Sequence, residues 1–145
     1  MTFIDESAAA YRAINSAAEG ALEEIARKAK NQAKRNVSGG GSSAEQLNVR
    51  SGNLRAGIDY DMDKRGMASV ARVGASAKYA GIHEYGGTIK AKNAEYLTFK
   101  TRDGTWARVK QVTMPARPYI RPAIMDHLPD VERTFSAHLT KRLGR

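Results

Sequence analysis

Three groups of residues have types and spacings that could do chemistry. Asp59, Asp61 and Asp63 alternate like the opening of a calcium-binding loop. The sixth position is Lys64 instead of a turn-forming Gly, and the twelfth is Val70 instead of a bidentate Glu. Alternate acids on an extended segment line one solvated face instead. His83-Glu84 would open a zinc-binding helix if a second His stood four residues on, but Gly87 stands there. His127 and His138 are eleven residues apart on one predicted helix, too far to share a metal. The chain has no Cys, which removes disulfides, thiolate zinc sites and cysteine nucleophiles. As a general base, His83 would lack a nucleophile elbow or paired carboxylates to work with. The residues therefore predict no catalytic residue, no metal and no cofactor.

The elements that carry these residues fit one domain, since 145 residues can bury about two-thirds of the unfolded surface. From Glu6 to about Asn36, Tyr11, Ile14, Ala18, Ala21, Leu22 and Ile25 recur at three- and four-residue steps, which predicts a long amphipathic helix with an Ala-rich buried stripe. Asp5, Glu6 and Glu19 lie toward its start, and Arg27, Lys28, Lys30, Lys34 and Arg35 toward its end, complementing the helix dipole. Ser38 to Ser43 reads as a flexible Gly/Ser loop. Ile58, Tyr60 and Met62 alternate with the three acids as a half-buried strand, which Gly66 turns into a second strand over Ala68 to Val73.

Lys78 to Tyr85 predicts a short helix capped by Gly86-Gly87. Tyr96 to Lys100 and Thr105 to Val112 predict a second hairpin around Arg102-Asp103-Gly104. Pro115, Pro118 and Pro122 make residues 114–121 an extended connector. A closing helix follows with Leu128, Val131, Phe135 and Leu139 as its buried stripe, kinked or restarted at Pro129. The fold class is α+β: a long N-terminal helix, an antiparallel sheet of about four strands and a C-terminal helix on one of its faces. The expected segments are the helix at 1–37, the loop at 38–50, the sheet with its short helix at 51–113, and the connector and closing helix at 114–145.

Charge narrows the partners. The chain carries 24 Lys and Arg against 15 Asp and Glu, a net +9. Most of that surplus lies within residues 87–125, where Lys90, Lys92, Lys100, Arg102, Arg108, Lys110, Arg117 and Arg121 face only Glu95 and Asp103. Such a segment suits DNA, RNA or an acidic protein surface, and equally well protects exposed strand edges from aggregation. Tyr96, Phe99 and Trp106 share the second hairpin with Lys100 and Arg108, where they read as a core face and its rim. No zinc finger, helix-turn-helix or stacking platform is recognisable. No window approaches the roughly 20 apolar residues that span a bilayer. Two acids within Met1 to Glu6 argue against a secretory leader, so no membrane role is expected.

Three segments are more distinctive than the composition. They are Ser51-Gly52-Asn53-Leu54-Arg55, the run from Tyr79 through Glu84-Tyr85-Gly86-Gly87 to Thr88, and Pro115-Ala116-Arg117-Pro118-Tyr119-Ile120-Arg121-Pro122-Ala123. In this order and spacing, over about residues 51–125, the chain resembles the small tail-component proteins of tailed bacteriophages. Its Leu97 to Met114 hairpin is similar to that of the related phage virion morphogenesis proteins. The departures are the doubled glycine at Gly86-Gly87 and Gly57 where the pattern usually has Ser.

The resemblance implies a non-enzymatic virion protein, made in the bacterial cytoplasm, that acts in tail completion or head–tail joining at the neck. It implies a homo-oligomeric ring, sixfold by analogy with tail symmetry, with the isolated chain either assembled or monomeric until recruited. Neighbouring connector and tail proteins, and DNA passing without sequence specificity, are the implied partners. Tyr79, Glu84, Tyr85, Gly86, Gly87, Pro115, Arg117, Pro118, Arg121 and Pro122 become the structural motif or interface. Lys90, Lys92, Lys100, Arg102, Arg108 and Lys110 become the groups facing DNA or an acidic partner. Glu84 is expected to pair with Arg117 or Arg121, because an acid beside that basic connector could fix it against the sheet. The alternative reading is a basic nucleic-acid-binding protein that belongs to no particle.

Overall fold

The structure, a computed structural model, describes residues 7–39, 47, 52–66, 68–101 and 103–144. In chain order its elements are α1 (Ser7–Asn36), α2 (Asn53–Ala56), β1 (Ile58–Arg65), β2 (Ala68–Ala75), α3 (Ala80–Tyr85), β3 (Gly87–Lys90), β4 (Leu97–Lys100), β5 (Trp106–Val109), β6 (Gln111–Met114), α4 (Ile120–Met125), a 3-10 turn (Leu128–Asp130) and α5 (Val131–Leu143). They divide into two compact units, one comprising Met1–Ala77 with Tyr119–Arg145 and the other Lys78–Pro118.

In the first unit, α1 buries Ala17, Ala21, Ile25, Ala29 and Ala33, an unbroken series at steps of four. That ridge of small side chains lets other elements approach closely, and α1 packs on α4, α5, β1 and β2. Lys34 and Arg35 occupy its last turn, and Ser38 closes the end by donating its hydroxyl to the Lys34 carbonyl at 2.6 Å. Of the expected stripe, Ala21 and Ile25 are buried and Leu22 is half-covered. Tyr11, Ile14 and Ala18 are instead exposed, because the alanine ridge beside them makes the contact. Asp5, Glu6 and most of the expected Gly/Ser loop lie outside the described residues.

β1 and β2 form the expected hairpin, in register from Ile58 opposite Ala75 to Arg65 opposite Ala68. Gly66 turns it with φ 60°, a left-handed value that a side chain would strain. Ile58 is fully buried in a core with Ala33, Val37, Leu47, Tyr119 and Ala123, which contributes about 1.5–3 kcal/mol for its side chain alone. Asn36 donates its side-chain amide to the Tyr119 carbonyl at 2.9 Å, tying the end of α1 to the start of α4.

Pro122 falls in the first turn of α4, and Pro129 sits in the 3-10 turn where the helix restarts as α5. Along this closing helix the expected stripe is only partly buried. Phe135 and Leu139 are half-covered, Leu128 and Val131 are exposed, and Thr134 is the buried residue.

In the second unit, β4 and β5 form the expected second hairpin, with Leu97 opposite Val109 and Lys100 opposite Trp106. The strand predicted over 105–112 ends at Val109. Residues 111–114 form β6, which pairs antiparallel with β3, a strand that the sequence left unassigned. The extended connector therefore begins only after Met114. The fold class is α+β, and its antiparallel strands lie in three small two-stranded sheets among the described residues, not in one sheet of about four.

Candidate functional site

The second unit brings the distinctive segments together. Gly86 caps α3 at φ 69°, and a Cβ there would lie 2.7 Å from the Ala116 nitrogen and 3.0 Å from the Met114 carbonyl. Gly87 follows at φ 140°, where a Cβ would meet Ile82 Cδ1 at 2.9 Å. Backbone conformation and close approach to the Ala116 and Met114 backbone together require Gly86, and backbone conformation favours Gly87, since the Ile82 side chain can give way. The Arg117 N–H donates to the His83 carbonyl at 2.7 Å, and Thr88 and Thr113 hydroxyls meet at 3.1 Å across β3 and β6. The run from Tyr79 to Thr88 and the first half of the Pro-rich connector are one structural feature.

Within that feature the side chains divide by exposure. Glu84 is buried at 6% exposure and engaged by neighbouring groups. Tyr79 is partly exposed and meets the His83 ring edge-on at 5.7 Å between centroids. Tyr85 stands 80% exposed. Burial, and secondarily the charge of Arg117, push the His83 imidazole below its ordinary pKa, which favours the neutral form. Arg117 Nε is buried without a hydrogen-bond partner, so this residue forms no side-on fork through Nε. In the first unit, the motif residues Tyr119 and Ala123 are core, so part of this pattern is packing and not contact surface.

The basic residues occupy the two small sheets and the turns beside them. Register places Lys100, Trp106, Arg108 and Thr98 on one face of the β4–β5 hairpin, and Leu97, Phe99, Ala107 and Val109 on the other. The Arg108 guanidinium lies 4.2 Å from the centre of the Tyr96 ring, and the hairpin turn is closed by Asp103 against the Thr101 and Thr105 hydroxyls. Gly104 supplies the positive φ, 89°, that the turn requires. Lys90, Lys92 and Lys110 are exposed around β3, β5 and β6, whereas Arg102 lies outside the described residues. Trp106 is 69% exposed, so the aromatic read as core or rim is an outward-facing ring between cations.

The three alternating acids of β1 are each met by a basic side chain. Asp59 meets Lys30 at 3.2 Å, Asp63 meets Arg65 at 2.8 Å and Arg72 at 3.4 Å, and Asp61 meets Arg72 at 3.7 Å. They form a solvated face with surface ion pairs, worth little individually. Among the described residues no cluster of three or more His, Asp or Glu could hold a metal, and no helix is long and apolar enough to cross a membrane.

No curated protein and no solved structure matches the chain. A match to a described family does exist, spanning α1 from Ala17, both small hairpins and the motif segments, and ending within α5. Over residues 17–138, most of its length, the chain belongs to the phage virion morphogenesis family.

Proposed function

We propose that this protein is a non-enzymatic structural component of a tailed-phage virion that completes the tail or joins it to the head. It assembles as a ring at the neck around the DNA passage, and a sixfold ring would match the tail symmetry implied by the family resemblance. The family supports a role in virion assembly. The observation that carries the finer reading is the β4–β5 hairpin, a two-stranded ribbon with an exposed Trp106 flanked by Lys100 and Arg108. A ribbon of two strands is marginal by itself in water and gains stability when a neighbour covers it. An exposed tryptophan among cations is the kind of residue that anchors subunit contacts.

In this reading the Tyr79–Thr88 segment, with its Pro-rich counterpart, forms the rigid part of the interface. Buried Glu84 neutralises a guanidinium of the motif, since an ionised carboxylate at that depth requires a partner. Connector and tail proteins lie above and below the ring, and Lys90, Lys92, Lys100, Arg102, Arg108 and Lys110 face the DNA or an acidic neighbouring ring. The protein is made in the host cytoplasm and ends in the particle.

The test is a phage carrying a null allele of this gene. Lysates are expected to accumulate filled heads and separate tails, with joining restored by the protein supplied in trans, and antibody labelling is expected at the neck. Normal infectious particles from the null lysate, or purified wild-type particles that lack the protein, would refute the reading.

A further inference from the structure

The first unit contains an apolar groove of about 270 Å³ between α1, the turn of the β1–β2 hairpin and α5. Ala18, Leu22, Ile25, Val131 and Phe135 supply its apolar walls, with the acid Glu19 among them. Its rim is open, since Ala18 is exposed and Val131 is 43% exposed. Tyr11 and Ile14 continue the same face of α1 toward its start, and both are uncovered. The apolar pattern of α1 thus extends further than its own chain buries.

We infer that this groove receives Trp106 of a second copy of the chain. Three observations select that occupant. A cavity of about 150 Å³ lined by aliphatic side chains accommodates a benzene ring. The groove's volume of about 270 Å³ is therefore sufficient for the fused rings of an indole. Trp106 is the chain's single Trp and stands 69% exposed, so it is the one indole available as an anchor. Charge also matches: Lys100 and Arg108 share the face of Trp106, while Glu19 lines the groove and Glu23 lies one turn further along α1. Glu19 already meets Lys64 at 3.0 Å and Glu23 accepts from the Tyr60 hydroxyl at 3.3 Å, so the arriving cations join an existing polar rim.

Knob and groove are different patches of one surface, which makes the contact heterologous. Repeated from copy to copy it closes into a ring when the rotation divides a full turn. The inference rests on the self-assembly proposed above and names the contact that drives it.

The absence of native cysteine permits a direct test on the full chain. Two single variants that both keep Trp106, Thr98→Cys on the same hairpin face and Val131→Cys at the groove, are mixed and treated with a short bis-maleimide. The expected product is the mixed 98–131 dimer in clear excess over either self-coupled dimer, and a chain carrying both substitutions should yield a ladder of oligomers. Trp106→Ala should weaken self-association at least about tenfold, with Trp106→Phe retaining part of it and circular dichroism unchanged for both.

Oligomers that form without 98–131 coupling, or with Trp106→Ala at full strength, overturn this contact and leave the assembly reading standing. Coupling of the Val131→Cys variant to a Phe3→Cys variant, in place of Thr98→Cys, overturns it in favour of the chain's N-terminal residues as the occupant. If no concentration of wild-type protein gives oligomers, alone or on particles, the assembly reading falls and the contact with it.

Discussion

At the residue scale, the contact between α1 and α5 turns on Gly20. A Cβ built on it would lie 2.6 Å from His138 Nδ1, so the helix carries a poor helix former where an imidazole packs closely against it. His138 Nε2 is 3.0 Å from Glu24 Oε2, and Lys28 Nζ is 2.8 Å from Glu24 Oε1. A carboxylate only accepts, so Nε2 carries the proton in this contact. Gly20→Ala should gain about 0.5–1 kcal/mol of helix propensity and lose about 1–3 kcal/mol to overpacking. The expected net change is a lower urea midpoint, and a midpoint above wild type would refute the packing argument. The hydrogen bond from Lys28, followed by that from His138, lowers the Glu24 pKa from 4.5 to about 2. A depressed carboxylate stabilises the fold fully above its unfolded pKa, and that contribution is lost as pH falls from 4.5 toward about 2. Urea titrations at several pH values should show Glu24→Gln less stable than wild type near neutrality, with the gap closing across that window. A gap that widens on acidification would contradict it.

At the element scale, local pattern and non-local pairing were legible to different degrees. The thirty residues of α1 have no Pro and a sustained helical period, and β1 opens with a strict alternation, so both could be read before any fold was known. β3 and β6 span only four residues each, and their pairing joins Gly87 to Met114 across a whole intervening hairpin. No local window contains that partnership, which explains why β3 was missed and β6 was divided between a strand and a connector. Which apolar residues are buried was similarly hidden. Hydrophobic size favours Tyr11, Ile14, Leu128 and Val131 for the core, whereas close helix packing favours the alanines at steps of four. Trp106 offered a usable signal, because its parity with Arg108, and with Lys100 across the turn, places it on the cationic face once the hairpin register is set. The convergence of Gly86 with Ala116 was legible only as two motifs and never as a contact.

At the scale of the whole molecule, the sign and placement of charge separate an assembling ring from a free nucleic-acid-binding protein. Both readings share the net +9 and the local surplus over 87–125. They differ in how many cations one copy can bring to a duplex. Among the described residues the exposed basic groups of the second unit's sheets are Lys90, Lys92, Lys100, Arg108 and Lys110, distributed over two ribbons and the turns beside them, and Arg102 lies outside the described residues. If these five and Arg102 all engaged phosphates, the logarithm of affinity would fall with the logarithm of salt at a slope no steeper than about −5.4. Contacts of this kind are to the backbone and carry no sequence preference. The isolated chain is therefore expected to bind random duplex DNA only in the non-specific range, weaker than about 1 μM at physiological salt. Binding to sequence-scrambled duplexes should be equal. Fluorescence anisotropy on dilute monomer at two salt concentrations checks this, with native mass spectrometry establishing the oligomeric state in the same buffers. Submicromolar binding by the monomer with a slope steeper than that limit would favour the nucleic-acid-binding alternative. Affinity that rises only as copies assemble is what a ring lining a DNA passage should show, because closure places on one channel the cations of every subunit that the subunit contact leaves free, Lys90, Lys92 and Lys110 among them.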